Sequence, residues 1–214
     1  MRNRSRYLYV FLLAFVLFTT FLWIVKISNG TIPLLDQWSR NFVSTLADSN
    51  IYFLFRWVTE LGSGTFLTPF TIIMGIVLWF IFRDWFVATM FTGGTLLSHG
   101  LNVGIKVLVE RQRPRIFAAA EAEGYSFPSG HAMISMVCFG LLVYFLSKKI
   151  KSKKAILIMQ ISVTILIFCI GMSRYIIRVH YLTDVLAGFL FGYLFILIWT
   201  YLYEAIHNRR TTQS

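Results

Sequence analysis

Apolar residues in this 214-residue chain arrive in blocks about as long as a bilayer core is thick, and no other feature constrains its fold as strongly. A spanning helix needs roughly 20 predominantly apolar residues, because in lipid every backbone N–H and C=O must be satisfied within the segment. Blocks near that length lie at about 7–25, 65–82, 85–105, 129–147, 155–172 and 185–203. The expected architecture is therefore all-α: an integral membrane bundle of six transmembrane helices, forming one domain over 1–214. The soluble alternative fails on composition, since 57% hydrophobic and 14% charged residues leave too little polar surface to coat a chain of this size. The first block follows Arg2, Arg4 and Arg6 as a signal peptide would. It is too long for a signal core and no clear small-residue cleavage site follows, so an uncleaved first helix is expected.

Between the first two blocks the composition changes. Over 26–64, Pro33, Asp36, Arg40, Asp48, Arg56 and Glu60 interrupt aromatic and aliphatic residues, and a spanning helix there would bury several charges. Trp38, Phe42, Phe53, Phe55 and Trp57 point instead to short extracytoplasmic helices at the interface or packed over the bundle. A connecting segment without chemistry is the simpler reading; a lid or substrate entrance is the other. Gly100 with Gly104, and Gly188 with Gly192, have the spacing that lets helix backbones approach closely. Packing within the bundle is the simpler reading of both pairs and dimerisation through one of these faces the other; an oligomer is not required.

Orientation follows from the short loops. Lys and Arg divide 11 to 9 between the two sides, but the tight 147–154 loop holds five lysines and no acid, while seven of the nine acids fall opposite. Both termini are expected in the cytoplasm, with the polar 106–128 loop outside. The net charge of +11 lies mostly beside apolar blocks, where it sets topology and meets anionic headgroups, so nucleic acid is not an expected partner. Cys138 and Cys169 sit inside apolar blocks, where a thiol behaves as a small hydrophobe.

Chemistry-bearing residues gather at block ends on the outer side. Lys106 ends the third block and is followed seven residues later by Arg113-Pro114. Pro128-Ser129-Gly130-His131 opens the fourth block as a natural helix start, whose free N–H groups can receive an anion. Before the sixth block, Ser173-Arg174 is followed by Arg178, His180 and Asp184. A neutral imidazole among cations, with a carboxylate one helical turn away, is a means of attacking a bound phosphoryl group.

Together these clusters resemble the type 2 phosphatidic acid phosphatases, which share motifs with vanadium haloperoxidases and bacterial acid phosphatases. The family pattern is Lys, six residues, Arg-Pro; then Pro-Ser-Gly-His; then Ser-Arg, five residues, His, three residues, Asp. Lys106 with Arg113-Pro114, Pro128 through His131, and Ser173-Arg174 with His180 and Asp184 match it in order and without departure. The match in motif residues covers 106–184, and the six-span layout looks like that of the family's bacterial membrane phosphatases. The resemblance implies that His180 attacks phosphorus to give a phosphohistidine, that Asp184 hydrogen-bonds its other nitrogen, and that His131 protonates the leaving oxygen as general acid. It also implies hydrolysis without a metal or other cofactor.

The residue types agree with such chemistry. Phosphoryl transfer needs cations and N–H donors around the equatorial oxygens, a role for Lys106, Arg113 and Arg174. Ser129, Gly130 and Ser173 can complete the cradle through hydroxyl or backbone donors, although singly each reads as a cap or turn residue. Arg111, Arg115 and Arg178 read as snorkelling cations or structural ion pairs. His99, Asn102 and Lys106 share a face of the third helix; His99 and Asn102, outside the motifs, read as interhelical hydrogen-bonding groups, and His207 as an exposed terminal residue. No cluster of carboxylates and histidines has metal-ligand spacing, and no Gly-rich nucleotide loop is present.

The expected function is hydrolysis of a membrane lipid's terminal phosphate, with phosphatidylglycerophosphate as first substrate. Undecaprenyl diphosphate is the second, and broad action on phosphatidic acid a further alternative. A haloperoxidase would share the anion cradle but is expected to be soluble. A lipid transporter or structural subunit would share the spans without needing both histidines and the aspartate.

Overall fold

The computed structural model describes residues 2–45, 49–114 and 124–212, and among them it contains helices and no strand. In chain order these are α1 (Arg2–Ser28), α2 (Leu34–Ser44), α3 (Asn50–Glu60), α4 (Gly64–Phe82), α5 (Trp85–Val109), α6 (Gly130–Ser147), α7 (Lys153–Ile176) and α8 (Leu182–Thr212). The six apolar blocks correspond to α1 and α4 through α8. Among the described residues α4, α6, α7 and α8 are long and apolar enough to cross a membrane, and Ala14–Ser28 is a shorter apolar stretch within α1. Helix α5 has 25 residues, but His99, Asn102 and Lys106 dilute its apolar character. The chain is a multi-pass membrane protein.

Local chemistry sets the boundaries. Ser63, Asp84, Ser129 and Ser152 each accept a backbone N–H of the first turn that follows, which opens α4, α5, α6 and α7. Such a cap is worth about 1 kcal/mol because the first N–H groups of a helix have no partner within it. Helices α2 and α3 are the short elements expected over 26–64. Trp38 and Trp57 face outward at 77% and 79% exposure, where a headgroup layer suits an indole. Their inner faces bury Asp36, Val43 and Thr59 against the bundle.

Helix α6 lies at the centre, in contact with α4, α5, α7 and α8. Its approach to α8 depends on two glycines. A Cβ on Gly188 would stand 2.7 Å from Ser129 O, and one on Gly192 would stand 2.9 Å from Met133 O, so only glycine permits this backbone separation. Gly100 and Gly104 behave differently, because among the described residues nothing beyond the neighbouring helix backbone lies within 4 Å of a Cβ built at either position. Among the described residues no element packs closely on that pair, and both glycines are exposed.

The end of the bundle opposite the motifs is tied by aromatic and ionic contacts. Tyr203 stacks on Phe86 at 5.6 Å and meets Phe145 edge-on at 5.1 Å. Glu204 accepts from Tyr144 and pairs with Lys148, and Arg210 pairs with Asp84 at 3.6 Å. His207, expected to be exposed, is half-buried because its ring stacks on Tyr203 at 5.3 Å.

Gly188→Ala should force α6 and α8 apart and destabilise the fold by about 1–3 kcal/mol, the usual cost of overpacking. Gly104→Ala should change little. Thermal unfolding of both variants in one detergent checks this, and equal midpoints would contradict the packing described.

Candidate active site

Helices α5 and α7 end where α6 and α8 begin, so the three polar clusters meet at one end of the bundle. The turn between α7 and α8 brings His180 inward. Arg178 takes a left-handed conformation, φ 61°, which folds the chain back until Val179 and His180 both donate to Arg174 O, at 3.1 and 3.2 Å. His180 is 4% exposed.

The tautomer of His180 follows from its neighbours. Arg113 Nη1 lies 3.2 Å from His180 Nε2, and because a guanidinium can only donate, Nε2 of the neutral ring must accept. The ring proton then sits on Nδ1, which faces Ser126 Oγ at 3.3 Å and Asp184 Oδ2 at 3.4 Å. Burial outweighs the hydrogen bond to Asp184 and, aided by Arg113 and Arg174, pulls the imidazole down to about 4, so it is neutral at ordinary pH. The site therefore holds an imidazole with a lone pair on Nε2, beside a cation and backed by a carboxylate.

Cations and donors surround that nitrogen. A cavity of about 730 Å³ is lined at its polar end by Lys106, Arg113, Gly130, His131, Arg174 and His180. Lys106 Nζ donates to Tyr125 O, and Arg113 is fixed by Gly124 O and Val179 O, each at 2.9 Å. Arg174 donates from Nη1 to Thr59 Oγ1 at 2.8 Å, while its buried Nε has no hydrogen-bond partner among the described residues. The start of α6 adds the N–H groups of Gly130 and His131, which have no partner within the helix. Away from this end, Leu67, Ile72, Leu96 and Val103 give the cavity apolar walls between α4 and α5.

Not every expected cradle residue faces the cavity. Ser129 is fully buried as the cap of α6, its N–H donating to Asp184 O at 2.9 Å. Ser173 is also fully buried and donates its hydroxyl to Ile170 O at 2.6 Å. Both hydroxyls are turned into the protein, whereas Gly130 lines the cavity. Arg178 donates to Val43 O at 3.2 Å and is absent from the cavity wall, in keeping with a structural role. Arg115 lies outside the described residues. Asn102 donates to Pro128 O at 3.4 Å, bridging α5 to the turn that precedes α6. Lys106, Asn102 and His99 all line the cavity.

Several site residues carried no signal in the motifs. Asp184 Oδ2 accepts from Ser126 Oγ and from Tyr181 N at 2.9 Å, while Oδ1 accepts from Arg111 Nη1. The other edge of Arg111 reaches Asp36 Oδ2 on α2 at 2.6 Å. Asp36 also accepts from Thr183 N at 3.0 Å and from Thr183 Oγ1 at 2.6 Å, which caps the first turn of α8 from another helix. The Arg111 guanidinium lies 3.8 Å from the centre of the Tyr181 ring, a cation–π contact. Gly62 is a further unmarked position, because a Cβ there would come within 2.9 Å of the His131 ring. The only hint for Asp36 was a carboxylate in an amphipathic segment, and Ser126 had none. Among the described residues no group of three or more His, Cys, Asp or Glu is arranged to hold a metal ion.

Comparison with known proteins identifies relatives. A family profile, the PAP2 superfamily, matches residues 85–207. Over 145 residues the chain is 34% identical to phosphatidylglycerophosphatase B of Bacillus subtilis, covering 64% of this chain and 68% of that protein. It is 27% identical over 142 residues to a dolichyldiphosphatase of Saccharomyces cerevisiae, covering 60% of this chain and 59% of that one. The fold matches the crystal structure of a transmembrane PAP2 type phosphatidylglycerolphosphate phosphatase from Bacillus subtilis, with a TM-score of 0.75 and 26% identity over 88% of this chain and 96% of that one. Aquifex aeolicus LpxE matches with a TM-score of 0.57 and 23% identity over 75% and 93%, a likeness of fold alone.

The tautomer and charge of His180 are open to measurement. In protein labelled with 15N at histidine, its proton should reside on Nδ1 and the ring should stay neutral as pH falls from about 7 to about 5. Burial depresses the value, so the neutral form prevails above about 4 and the cation below it. A midpoint near the ordinary 6.5, or a proton on Nε2, would contradict this arrangement.

Proposed function

The chain belongs to the PAP2 superfamily as a membrane lipid phosphatase, and from that premise we propose that it removes the terminal phosphate of phosphatidylglycerophosphate at the outer membrane face through a phosphohistidine on His180. The observation that carries this reading is the geometry of His180: Nε2 offers a lone pair within the cavity, and Nδ1 is held by Asp184 and Ser126. The phosphate is bound by Lys106, Arg113 and Arg174, with the N–H groups at the start of α6. Ser129 and Ser173 contribute by fixing the backbone from behind.

In the first step Arg113 turns its N–H from Nε2 to a phosphate oxygen, and the Nε2 lone pair so released forms a bond to phosphorus as the bond from phosphorus to the lipid oxygen breaks. His131, at the first turn of α6, gives that oxygen its proton. In the second step His131 takes a proton from water, the water oxygen attacks phosphorus, and the P–N bond breaks to release phosphate and neutral His180. Three cations meet the charge spread over the equatorial oxygens, so the electrostatic work is done by side chains and no metal is required.

The apolar walls between α4 and α5 suit a lipid tail while the headgroup enters the polar end. The likeness to phosphatidylglycerophosphatase B favours phosphatidylglycerophosphate. The likeness to a dolichyldiphosphatase supports a second reading, a polyprenyl diphosphate such as undecaprenyl diphosphate, since its terminal phosphate fits the same cradle. Phosphatidic acid is the remaining candidate. The five lysines of 147–154 lie at the end opposite the site, so both termini belong in the cytoplasm and the site outside it. Every group in this mechanism comes from one chain, and an oligomer is not needed.

Purified protein assayed on phosphatidylglycerophosphate, undecaprenyl diphosphate and phosphatidic acid should release phosphate with the highest kcat/KM on the first. No release from any of the three would sink the reading. His180→Ala should lose at least about a thousandfold in kcat, as removal of a nucleophile does. His131→Ala should harm alkyl phosphates far more than an activated aryl phosphate, and equal losses would remove His131 from the general-acid role.

A further inference from the structure

Asp36 lies on α2, outside every motif and outside the 85–207 stretch that the family profile matches, yet its side chain is fully buried beside the catalytic groups. We propose that Asp36 is a positioning residue for His180: by holding one edge of the Arg111 guanidinium, it sets the direction and the charge of the Asp184 carboxylate that orients the imidazole. The inference rests on the reading of His180 as nucleophile.

Direction comes from geometry. Arg111 is a planar fork that bridges two carboxylates, Asp36 through Nη2 and Asp184 through Nη1. Thr183 ties Arg111 to Asp36 a second time, since its Oγ1 accepts from Arg111 at 2.8 Å and donates to Asp36 at 2.6 Å. With Oδ1 of Asp184 held by Arg111, Oδ2 is left to face Ser126, the Tyr181 N–H and His180 Nδ1. Releasing Arg111 from Asp36 would let the guanidinium turn and take Asp184 with it.

Charge gives Asp36 a second effect. Two carboxylates share one guanidinium, so the buried triad keeps one surplus negative charge behind His180. When Nε2 bonds to phosphorus, the ring retains its proton on Nδ1 and becomes a cation. A nearby negative charge stabilises that state and does little for the neutral ring that first meets substrate, so its benefit falls on kcat rather than KM. Neutralising Asp36 would leave Asp184 fully offset by Arg111 and remove that surplus.

The test is a cycle of purified full-length variants, each checked for a monodisperse profile and its thermal midpoint. Asp36→Asn should lower kcat by about tenfold to a hundredfold, the loss typical when an outer partner of a positioned histidine is removed. KM should stay within about twofold, because ground-state binding is untouched. Asp36→Glu, which keeps the charge, should recover most of the loss. In an Asp184→Asn background, adding Asp36→Asn should cost less than about threefold more, since residues acting through one another are non-additive. Unchanged kcat, a loss confined to KM, or multiplicative losses in the double variant would overturn the proposal. If Asp36→Asn does not fold, Thr183→Val, which removes one hydrogen bond to Asp36, should give a smaller loss confined to kcat; no loss would overturn it. Full activity in His180→Ala would instead overturn the nucleophile reading itself.

Discussion

An ionised carboxylate without exposed surface loses several kcal/mol of hydration unless partners replace the water on every side, and Asp184 is such a group. Its two oxygens are met by Arg111, Ser126, the Tyr181 N–H and His180. Those partners come from the segment after α5, the turn before α6, and the α7–α8 turn. Satisfying one buried charge thus pins three separate stretches of chain to one point, and the cavity is the space left between them. Arg111 in turn needs a second acceptor, which is where α2 joins the bundle through Asp36.

A bundle tolerates this concentration of charge because it is confined to one end. Below the polar groups, α6 packs with α5, α7 and α8 around the apolar side chains of Phe91, Val137, Leu141, Phe145 and Ile170. The absence of Cβ atoms at Gly188 and Gly192 lets α8 lie against the start of α6, where Ser129 N meets Asp184 O. Helix packing and site geometry are therefore one constraint: separating α6 from α8 would also separate the start of α6 from the carboxylate that hydrogen-bonds His180.

Much of this was legible in the chain itself, and the misses have identifiable causes. Block lengths marked the long helices, and the aromatic interruptions of 26–64 marked α2 and α3. Identical spacing misled at Gly100 and Gly104, because a small-residue pair says that a close approach is possible and not which way the helix faces. His207 read as a tail residue because no local pattern foretells the stacking of its ring on Tyr203. Ser126 is one hydroxyl in a loop and Thr59 one hydroxyl on a short helix, so their partners 58 and 115 positions away left no trace in spacing.

By itself the sequence determined a membrane-embedded helical protein whose polar motif residues lie at helix ends, because hydrophobic block length and short motif spacing are local properties that a bilayer and a helical turn convert directly into structure. Only the tertiary fold decided which cations face the cavity, why Arg113 and not Arg178 meets His180, that Ser129 and Ser173 support from behind, and that Asp36 stands behind Arg111. Those outcomes rest on contacts between residues far apart in the chain, and such contacts are selected by the packing of α6 on α8 and by the need to satisfy every buried charge at once.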